Sequence, residues 1–168
     1  MLKHELNQLM FSDSGWGGSV EYKSVSGSLI YFHRTLGWRA RKQKPMALSS
    51  TEAEYNALTE SVQDLKWCKK LIYEATGMNC LEVLYCDSQS AISIASNPIY
   101  HHGTRHMNFR LHLIRQLVED KTLLLKYIPT EKMLANSFTK NMPLSKNLSH
   151  LRKVFSLQEL TSMGVCEN

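Results

Sequence analysis

The sequence predicts an α/β fold in which a mixed five-stranded sheet carries helices on both faces. Three short apolar, β-prone runs come first, and glycines and a proline bound them, as in an antiparallel meander. A long amphipathic segment follows, and strand and helix patterns then alternate, which is typical of β-α-β crossovers. The leading meander predicts antiparallel pairing and the later crossovers predict parallel pairing, so the sheet is expected to be mixed.

The first half of the chain supplies three predicted strands, at residues 9–13, 27–32 and 38–44. Gly15, Gly17 and Gly18 follow the first strand, and Pro45 stops the third because proline cannot donate a ladder hydrogen bond. The next segment, residues 50–76, is the longest predicted helix, and Gly77 provides its C-cap. Steps of three or four residues separate its apolar positions, so one face is expected to be buried: Tyr55, Leu58, Val62, Leu65, Cys68, Ile72 and Ala75.

The second half alternates strands and helices. We expect strands at residues 81–86 and 123–128, helices at 90–96 and 104–120, a short helix at 130–140 and one more at 146–155. The predicted organisation is a leader at 1–8, a domain at 9–140, and a C-terminal helix with a loose tail at 141–168.

Composition favours one globular domain of an intracellular protein. The chain is 43% hydrophobic and 21% charged, and its net charge of +5 permits polyanion binding without requiring it. Its four cysteines form no C-x-x-C pair, which predicts reduced thiols. No apolar run is long enough to span a membrane, and Met1–Glu5 lacks the pattern of a signal peptide.

Two glutamates stand at the head of the long helix, and helical geometry separates them. At about 100° per residue, Glu54 lies about 40° from Leu58 and about 20° from Leu65, within the apolar stripe. Glu52 lies about 120° or more from the same residues, on the solvent side, and Ser49-x-x-Glu52 forms a capping box. We therefore expect Glu52 to cap the helix and Glu54 to face the sheet, although both could be ordinary first-turn acids that the helix dipole favours.

Asp13 and Asp87 each follow a short apolar strand. Strand ends are where sheets with parallel pairing place their sites, and three acids gathered there could hold Mg²⁺. The alternatives are structural, because Asp13 could be a turn residue before Gly15 and Asp87 could be the N-cap of the following helix.

Several motifs occur in the order found in one family: Phe11-Ser12-Asp13-Ser14-Gly15, Leu48-Ser49-Ser50-Thr51-Glu52-Ala53-Glu54-Tyr55, Tyr85-Cys86-Asp87-Ser88-Gln89-Ser90-Ala91, Arg110-x-His112-x-Ile114-Arg115, and Leu134-Ala135-x-x-x-Thr139-Lys140. Over about residues 11–155 the chain resembles the ribonuclease H domain of copia-type LTR-retrotransposon Pol polyproteins. The resemblance implies a fragment of such a polyprotein, in which a reverse transcriptase domain precedes this one. The expected source is a yeast element, and the expected location is a cytoplasmic virus-like particle or the nucleus.

The resemblance implies two-metal hydrolysis of the RNA strand of an RNA–DNA hybrid, with two Mg²⁺ ions or Mn²⁺. Asp13 would bridge the ions, and Glu54 and Asp87 would be further ligands. Asn136 stands where the family has the fourth carboxylate, so weaker binding of the second ion is expected. Gly15 and the region of Asn108 also lack acids that the family often has. The alternative is therefore a catalytically dead transposon remnant that at most binds nucleic acid or partner chains.

Basic residues and histidines give two further hypotheses. Two basic groups could follow the phosphates of a hybrid, or could simply be solvated charges: Arg39, Arg41, Lys42 and Lys44 before the long helix, and Lys66, Lys69 and Lys70 on its distal half. His101, His102, His106 and His112 lie within twelve residues, but no cysteine joins them at zinc-binding spacing, so a zinc-binding adaptor is the weaker alternative.

Overall fold

A computed structural model describes residues 7–17, 22–32, 34–97 and 108–141, together with 143, 145, 149, 151 and 152. Within these residues the strands and helices follow one another in the predicted order. They are β1 (Asn7–Gly15), β2 (Val25–Phe32), β3 (Arg34–Lys42), α1 (Ser50–Thr76), β4 (Leu81–Cys86), α2 (Gln89–Ser96), α3 (Asn108–Glu119) and β5 (Leu123–Tyr127). The predicted helix at 146–155 lies almost wholly outside the described residues. The division into leader, domain and tail remains a prediction, and β1 begins at Asn7, within the predicted leader.

The five strands form one mixed sheet in the order β3-β2-β1-β4-β5. β1 pairs with β2 and β2 with β3 in antiparallel fashion, whereas β1 with β4 and β4 with β5 are parallel. The predicted combination of a meander and crossovers is confirmed. β3 runs from residue 34 to 42 rather than from 38 to 44, because its pairing with β2 continues back to Arg34.

Helix α1 begins and ends where the sequence predicts. Ser49 is its N-cap, and the Ser49 side chain accepts a hydrogen bond from the Glu52 N–H. Gly77 adopts a left-handed conformation with φ of 69°, and its N–H donates to the Tyr73 carbonyl. The predicted apolar stripe is buried from Tyr55 to Ile72, but Ala75 is exposed because it lies on the last turn, near the end of the helix.

Alternating side chains of the strands build a core on each face of the sheet. On one face, Met10 and Leu84 pack against the apolar stripe of α1 and against α2 and α3. On the other face, Phe11 stacks on Tyr85, and both belong to the core that includes Met133 and Leu134. The segment after β5 is not the single short helix predicted at 130–140. It forms two 3-10 segments, Thr130–Lys132 and Leu134–Phe138, which we call the terminal turns.

The described helices contain no stretch that is long and apolar enough to cross a membrane.

Candidate active site

The two aspartates predicted at strand ends lie at the same edge of the sheet. β1 and β4 are parallel neighbours, and Ser12 pairs with Cys86 in the last step of their register. Asp13 and Asp87 each follow a residue of that pair, so the carboxyl ends of adjacent strands present both acids together. Asp13 is fully buried, whereas Asp87 is half-buried.

Glu54 reaches the same edge from the first turn of α1. The Ser14 N–H donates to Glu54 Oε1 over 3.4 Å, which ties the glutamate to the residue after Asp13. Glu54 Oε2 is buried and has no hydrogen-bond partner among the described residues. The helical angle thus identified the acid that faces the sheet.

Glu52 takes the capping position that the sequence predicts. Its N–H donates to Ser49 Oγ over 3.1 Å, and its Oε2 accepts from the Leu48 N–H over 2.8 Å. The expected solvent exposure is wrong, because only 7% of Glu52 is exposed. Its carboxylate is folded back onto the chain that enters the helix.

The surroundings at this edge disfavour the charged forms of Glu54 and Asp13. Burial, followed by the charges of Asp13 and Asp87, raises the pKa of Glu54 from 4.5 to about 8. Burial also raises the pKa of Asp13, and this effect outweighs the opposing influence of Thr139 and Lys140. A site that keeps carboxylates close together and partly dry favours a bound cation or proton.

The group of potential ligand atoms at this edge also includes a thiol that sequence reasoning did not single out. Oxygen atoms of Glu54 and Asp87 and the sulfur of Cys86 all lie within 4.8 Å of one another. Asp13 is not a member of this group. Cys86 is fully buried, and its sulfur accepts a hydrogen bond from the Ser88 N–H over 3.3 Å. Ser88, and not Asp87, is the N-cap of α2, so the structural alternative for Asp87 is not observed.

Asn136, on the second of the terminal turns, faces Asp13 across a lysine. The Lys140 ammonium lies 3.2 Å from Asp13 Oδ1 and also donates to Asn136 Oδ1. Thr139 Oγ1 donates to Asp13 Oδ2. The Asn136 amide nitrogen donates to the Thr130 carbonyl over 2.7 Å, which fixes the direction of the amide.

Sequence reasoning missed three residues that contact the acids: Thr130, Thr139 and Lys140. Thr130 Oγ1 donates to Asp87 Oδ2 over 2.8 Å. Lys140 follows Asn136 by four residues, which is the spacing of neighbours on a helical surface and was a usable signal. Thr130 gave no such signal, because its contact with Asp87 joins segments far apart in the chain. Thr139 belongs to the sequence motif that ends at Lys140, but the sequence did not indicate its contact with Asp13.

The predicted basic residues divide between the two edges of the sheet. Lys42 of β3 pairs with Val25 of β2, and Val25 pairs with Gly15 at the end of β1. The end of β3 therefore lies at the edge of the sheet that carries the acids. Arg39, Arg41 and Lys44 line a hollow of about 200 Å³ beside the first half of α1, together with Arg110. Arg39 also forms an ion pair with Asp64.

Lys66 and Lys69 lie towards the opposite edge. Their ammonium groups are 2.8 Å and 3.6 Å from Oε2 of Glu82, a fully buried residue of β4. Glu82 is five residues before Asp87, which corresponds to about 16 Å of strand. Lys70 is exposed and pairs with Glu74 on the helix surface. The structure therefore does not bring the distal lysines together with Arg41, Lys42 and Lys44.

The histidine cluster lies mostly outside the described residues. His101, His102 and His106 belong to the segment that is not described, and His112 is exposed on α3. Cys68, Cys80 and Cys86 are free thiols, as predicted for the described cysteines.

Two solved structures that share this fold are a ribonuclease H1 and a ribonuclease H domain. The LC11 ribonuclease H1 isolated from compost matches with a TM-score of 0.60 and 17% identity, over 79% of this chain and 92% of that one. The N-terminal ribonuclease H domain of a Mycobacterium tuberculosis protein matches with a TM-score of 0.55 and 12% identity, over 88% of this chain and 98% of that one. The fold is thus ribonuclease H-like, which confirms the predicted mixed five-stranded α/β class. Among the described residues, α1, α2 and α3 pack on one face of the sheet, and the terminal turns pack on the other.

Sequence relatives place this fold in a larger context. The chain is 39% identical over 139 residues to the Pol polyprotein of transposon TNT 1-94 from Nicotiana tabacum, and 33% identical over 139 residues to that of transposon RE2 from Arabidopsis thaliana. A Ty1 Gag-Pol polyprotein from Saccharomyces cerevisiae is 31% identical over 135 residues. The homologues of this ribonuclease H-like chain are therefore retrotransposon Pol polyproteins, as the resemblance implied.

The matches cover 79–81% of this chain but only 8–10% of the length of each of these polyproteins. No family model matches the sequence. A yeast source has no support here, because the plant elements match at higher identity than the yeast element.

Proposed function

We propose that this chain acts as the ribonuclease H segment of a retrotransposon Pol polyprotein and hydrolyses the RNA strand of RNA–DNA hybrids. One observation carries the proposal: Asp13 in β1, Glu54 in α1 and Asp87 directly after β4 meet at the carboxyl edge of parallel strands. A relative in fold, LC11 ribonuclease H1, has been solved in complex with an RNA/DNA hybrid. The ligand proposed for this chain is of the same class.

The residues at this edge suit a hard divalent cation, which we propose to be Mg²⁺ or Mn²⁺. Glu54 Oε2 is buried without a partner among the described residues, and burial, followed by the neighbouring acids, raises the pKa of Glu54 to about 8. A divalent cation would relieve both conditions, because it accepts carboxylate oxygens as ligands and offsets their charge. When bound, such ions lower the pKa of a water molecule and stabilise the leaving oxygen of a phosphodiester.

A neighbouring side chain and a backbone N–H hold two of the acids in position for this task. Thr130 orients the Asp87 carboxylate, and the Ser14 N–H binds one oxygen of Glu54. The other oxygen of Glu54 remains available as a ligand. The Asn136 oxygen can act only as a neutral ligand, so the protein supplies three charges where its family supplies four.

Hybrid cleavage tests the proposal. We expect the natural chain to cleave an RNA–DNA hybrid with Mn²⁺ or Mg²⁺, Asp13→Asn to lose at least about 100-fold in rate, and Asn136→Asp to gain. Glu131→Gln is the matched control, because Glu131 is an exposed acid on the first terminal turn and should leave the rate unchanged. If neither the natural chain nor Asn136→Asp cleaves with either metal, the proposal fails.

A non-catalytic nucleic-acid-binding protein is the second candidate. The observation that favours it is Asn136, which brings no charge and whose oxygen already accepts a hydrogen bond from Lys140. In this case the natural chain would bind a hybrid but not cleave it, and Asp13→Asn would bind equally well.

The nucleic-acid surface that we propose comprises Arg41, Lys42 and Lys44, with Arg110 as an addition from α3. Lys42 ends β3 at the acid-bearing edge, and β3 lies two strands, or about 10 Å, from β1. Arg41, Lys44 and Arg110 line the hollow beside the first half of α1. The distal lysines Lys66, Lys69 and Lys70 are poorer candidates, since acidic partners already hold them.

Salt dependence of hybrid binding separates the two groups. Binding is measured in Ca²⁺ as the association constant at several salt concentrations. The double change Arg41→Gln and Lys44→Gln should make the negative slope of log K against log salt shallower by about 2, which corresponds to two lost phosphate contacts. Lys70→Gln is the matched control, because it removes one exposed charge at the opposite end of α1. Equal slopes for the double variant and the natural chain would exclude the proposed surface.

The partner and location follow only from the longer relatives. We propose that, as part of a longer Pol polyprotein, this domain works beside a reverse transcriptase domain within the cell, in a virus-like particle or the nucleus.

A further inference from the structure

A lysine ammonium lies within the acidic cluster itself. Lys140 Nζ is 3.2 Å from Asp13 Oδ1, and the Asp13 side chain is fully buried while 42% of the Lys140 side chain is exposed. The same ammonium donates to Asn136 Oδ1. Lys140 thus connects the first strand to the residue that replaces the family's fourth carboxylate.

The two sides of the cluster therefore differ in what they can offer to an ion. On one side, both Asp13 oxygens already accept hydrogen bonds, from Lys140 and Thr139, and the Asn136 oxygen is also occupied. On the other side, Glu54 Oε2 has no partner among the described residues, and a carboxylate oxygen of Glu54 and one of Asp87 lie within 4.8 Å of each other. The Asp13 side thus already contacts a cation that the protein itself supplies.

We propose that Lys140 substitutes for one divalent ion, so that the chain binds a single ion on the Glu54–Asp87 side and Lys140 opposes a second ion beside Asp13 and Asn136. This inference rests on the proposed function, because it assumes that the carboxylates bind divalent ions. It differs from a plain structural salt bridge, which would stabilise buried Asp13 without affecting how many ions bind.

Calorimetric titration with Mn²⁺ tests the inference without any measurement of cleavage. We expect the natural chain to bind one ion with measurable affinity, and Lys140→Met to bind a second ion at least about tenfold more tightly than the natural chain does, since like charges a few ångströms apart repel. Lys140→Arg is the matched variant, because it keeps the charge and should keep the single-ion behaviour. Circular dichroism during unfolding shows whether each variant is folded.

The outcomes separate the two proposals. A natural chain that binds no Mn²⁺ contradicts the proposed function, whatever Lys140 does. A natural chain that binds two ions with similar affinity overturns the role of Lys140 and leaves the proposed function intact. A folded Lys140→Met variant with the same ion count and affinities as the natural chain also overturns it.

If Lys140→Met does not fold, nuclear magnetic resonance of isotopically labelled lysine in the natural chain gives the answer. During a Mg²⁺ titration, the Lys140 side-chain signal should stay in place while the first ion binds and should move only at higher concentration. A signal that moves fully with the first ion would refute the inference, because Lys140 would then lie on the side that the first ion occupies.

Discussion

Replacing Glu54 with glutamine should stabilise the metal-free protein at alkaline pH. The pKa of this residue rises from 4.5 to about 8 because burial and the charges of Asp13 and Asp87 oppose its ionisation. Between pH 4.5 and pH 8 the folded state therefore binds more protons than the unfolded state, and the free energy of unfolding falls as pH rises. Below pH 4.5 the group is protonated in both states and has no such effect.

The size of the effect follows from the shift. A difference of about 3.5 pKa units corresponds to about 5 kcal/mol between pH 4.5 and pH values above 8. That is comparable to the total stability of a small domain, about 5–15 kcal/mol. Glu54→Gln is neutral at every pH and should remove most of this dependence, so the variant should exceed the natural chain by several kcal/mol at pH 9 and match it closely at pH 4.5.

Urea unfolding at pH 4.5, 7 and 9 in a chelating buffer measures this difference. Glu74→Gln is the control, because Glu74 is an exposed glutamate on the same helix and its replacement should leave the natural pH dependence unchanged. Mn²⁺ should restore stability to the natural chain at pH 9 and should have less effect on Glu54→Gln, since a ligand that binds only the folded state stabilises it. If Glu54→Gln and the natural chain lose stability equally between pH 4.5 and pH 9, the electrostatic account of the site is refuted.

Two further predictions concern the surroundings of the site. Gly27→Ala should destabilise the protein by about 1–3 kcal/mol and weaken metal binding, because a Cβ atom would lie 2.5 Å from Thr139 Cγ2. Chemical denaturation measures the first effect and Mn²⁺ calorimetry the second. Unchanged stability would contradict the close packing. Changing both Lys66 and Lys69 to methionine should lower the free energy of unfolding, measured by chemical denaturation, by about 3 kcal/mol, since Glu82 would lose both partners. The additional change Glu82→Gln should recover part of this loss. No recovery would argue against the ion pairs.

Local signals explain why much of the fold could be predicted. The bounds of α1 follow from a serine cap, a regular apolar stripe and Gly77, all of which act within a few residues. Glu54 could be distinguished from Glu52 because helical geometry alone sets the angle between them. The position of Asp87 after β4 could be recognised for a similar reason, since a β-prone run stops there at a polar turn, whereas β1 continues past Asp13 to Gly15 through its pairing with β2.

Contacts between distant segments explain what could not be predicted. Asp13 and Lys140 are separated by 127 residues, and only the packing of the terminal turns beneath β1 and β2 brings them together. Lys66 and Lys69 have the composition of a phosphate-binding patch, but they lie over a buried glutamate whose inward direction depends on strand pairing. The start of β3 depends on its ladder with β2, which extends the strand beyond its own β-prone residues.

Gly15 and Asn136 have different physical explanations, although in sequence both look like lost acids. A Cβ atom at position 15 would lie 2.5 Å from the Thr139 carbonyl oxygen, so the present packing of the terminal turns requires glycine there. That same packing lets Thr139 and Lys140 bind Asp13. Gly15 is thus part of the arrangement that holds a lysine against Asp13, and it does not by itself indicate decay. Asn136 remains the change with a direct electrostatic consequence, because it removes a negative charge beside Lys140. We therefore expect the number of divalent ions at the site to depend on the charges at positions 136 and 140.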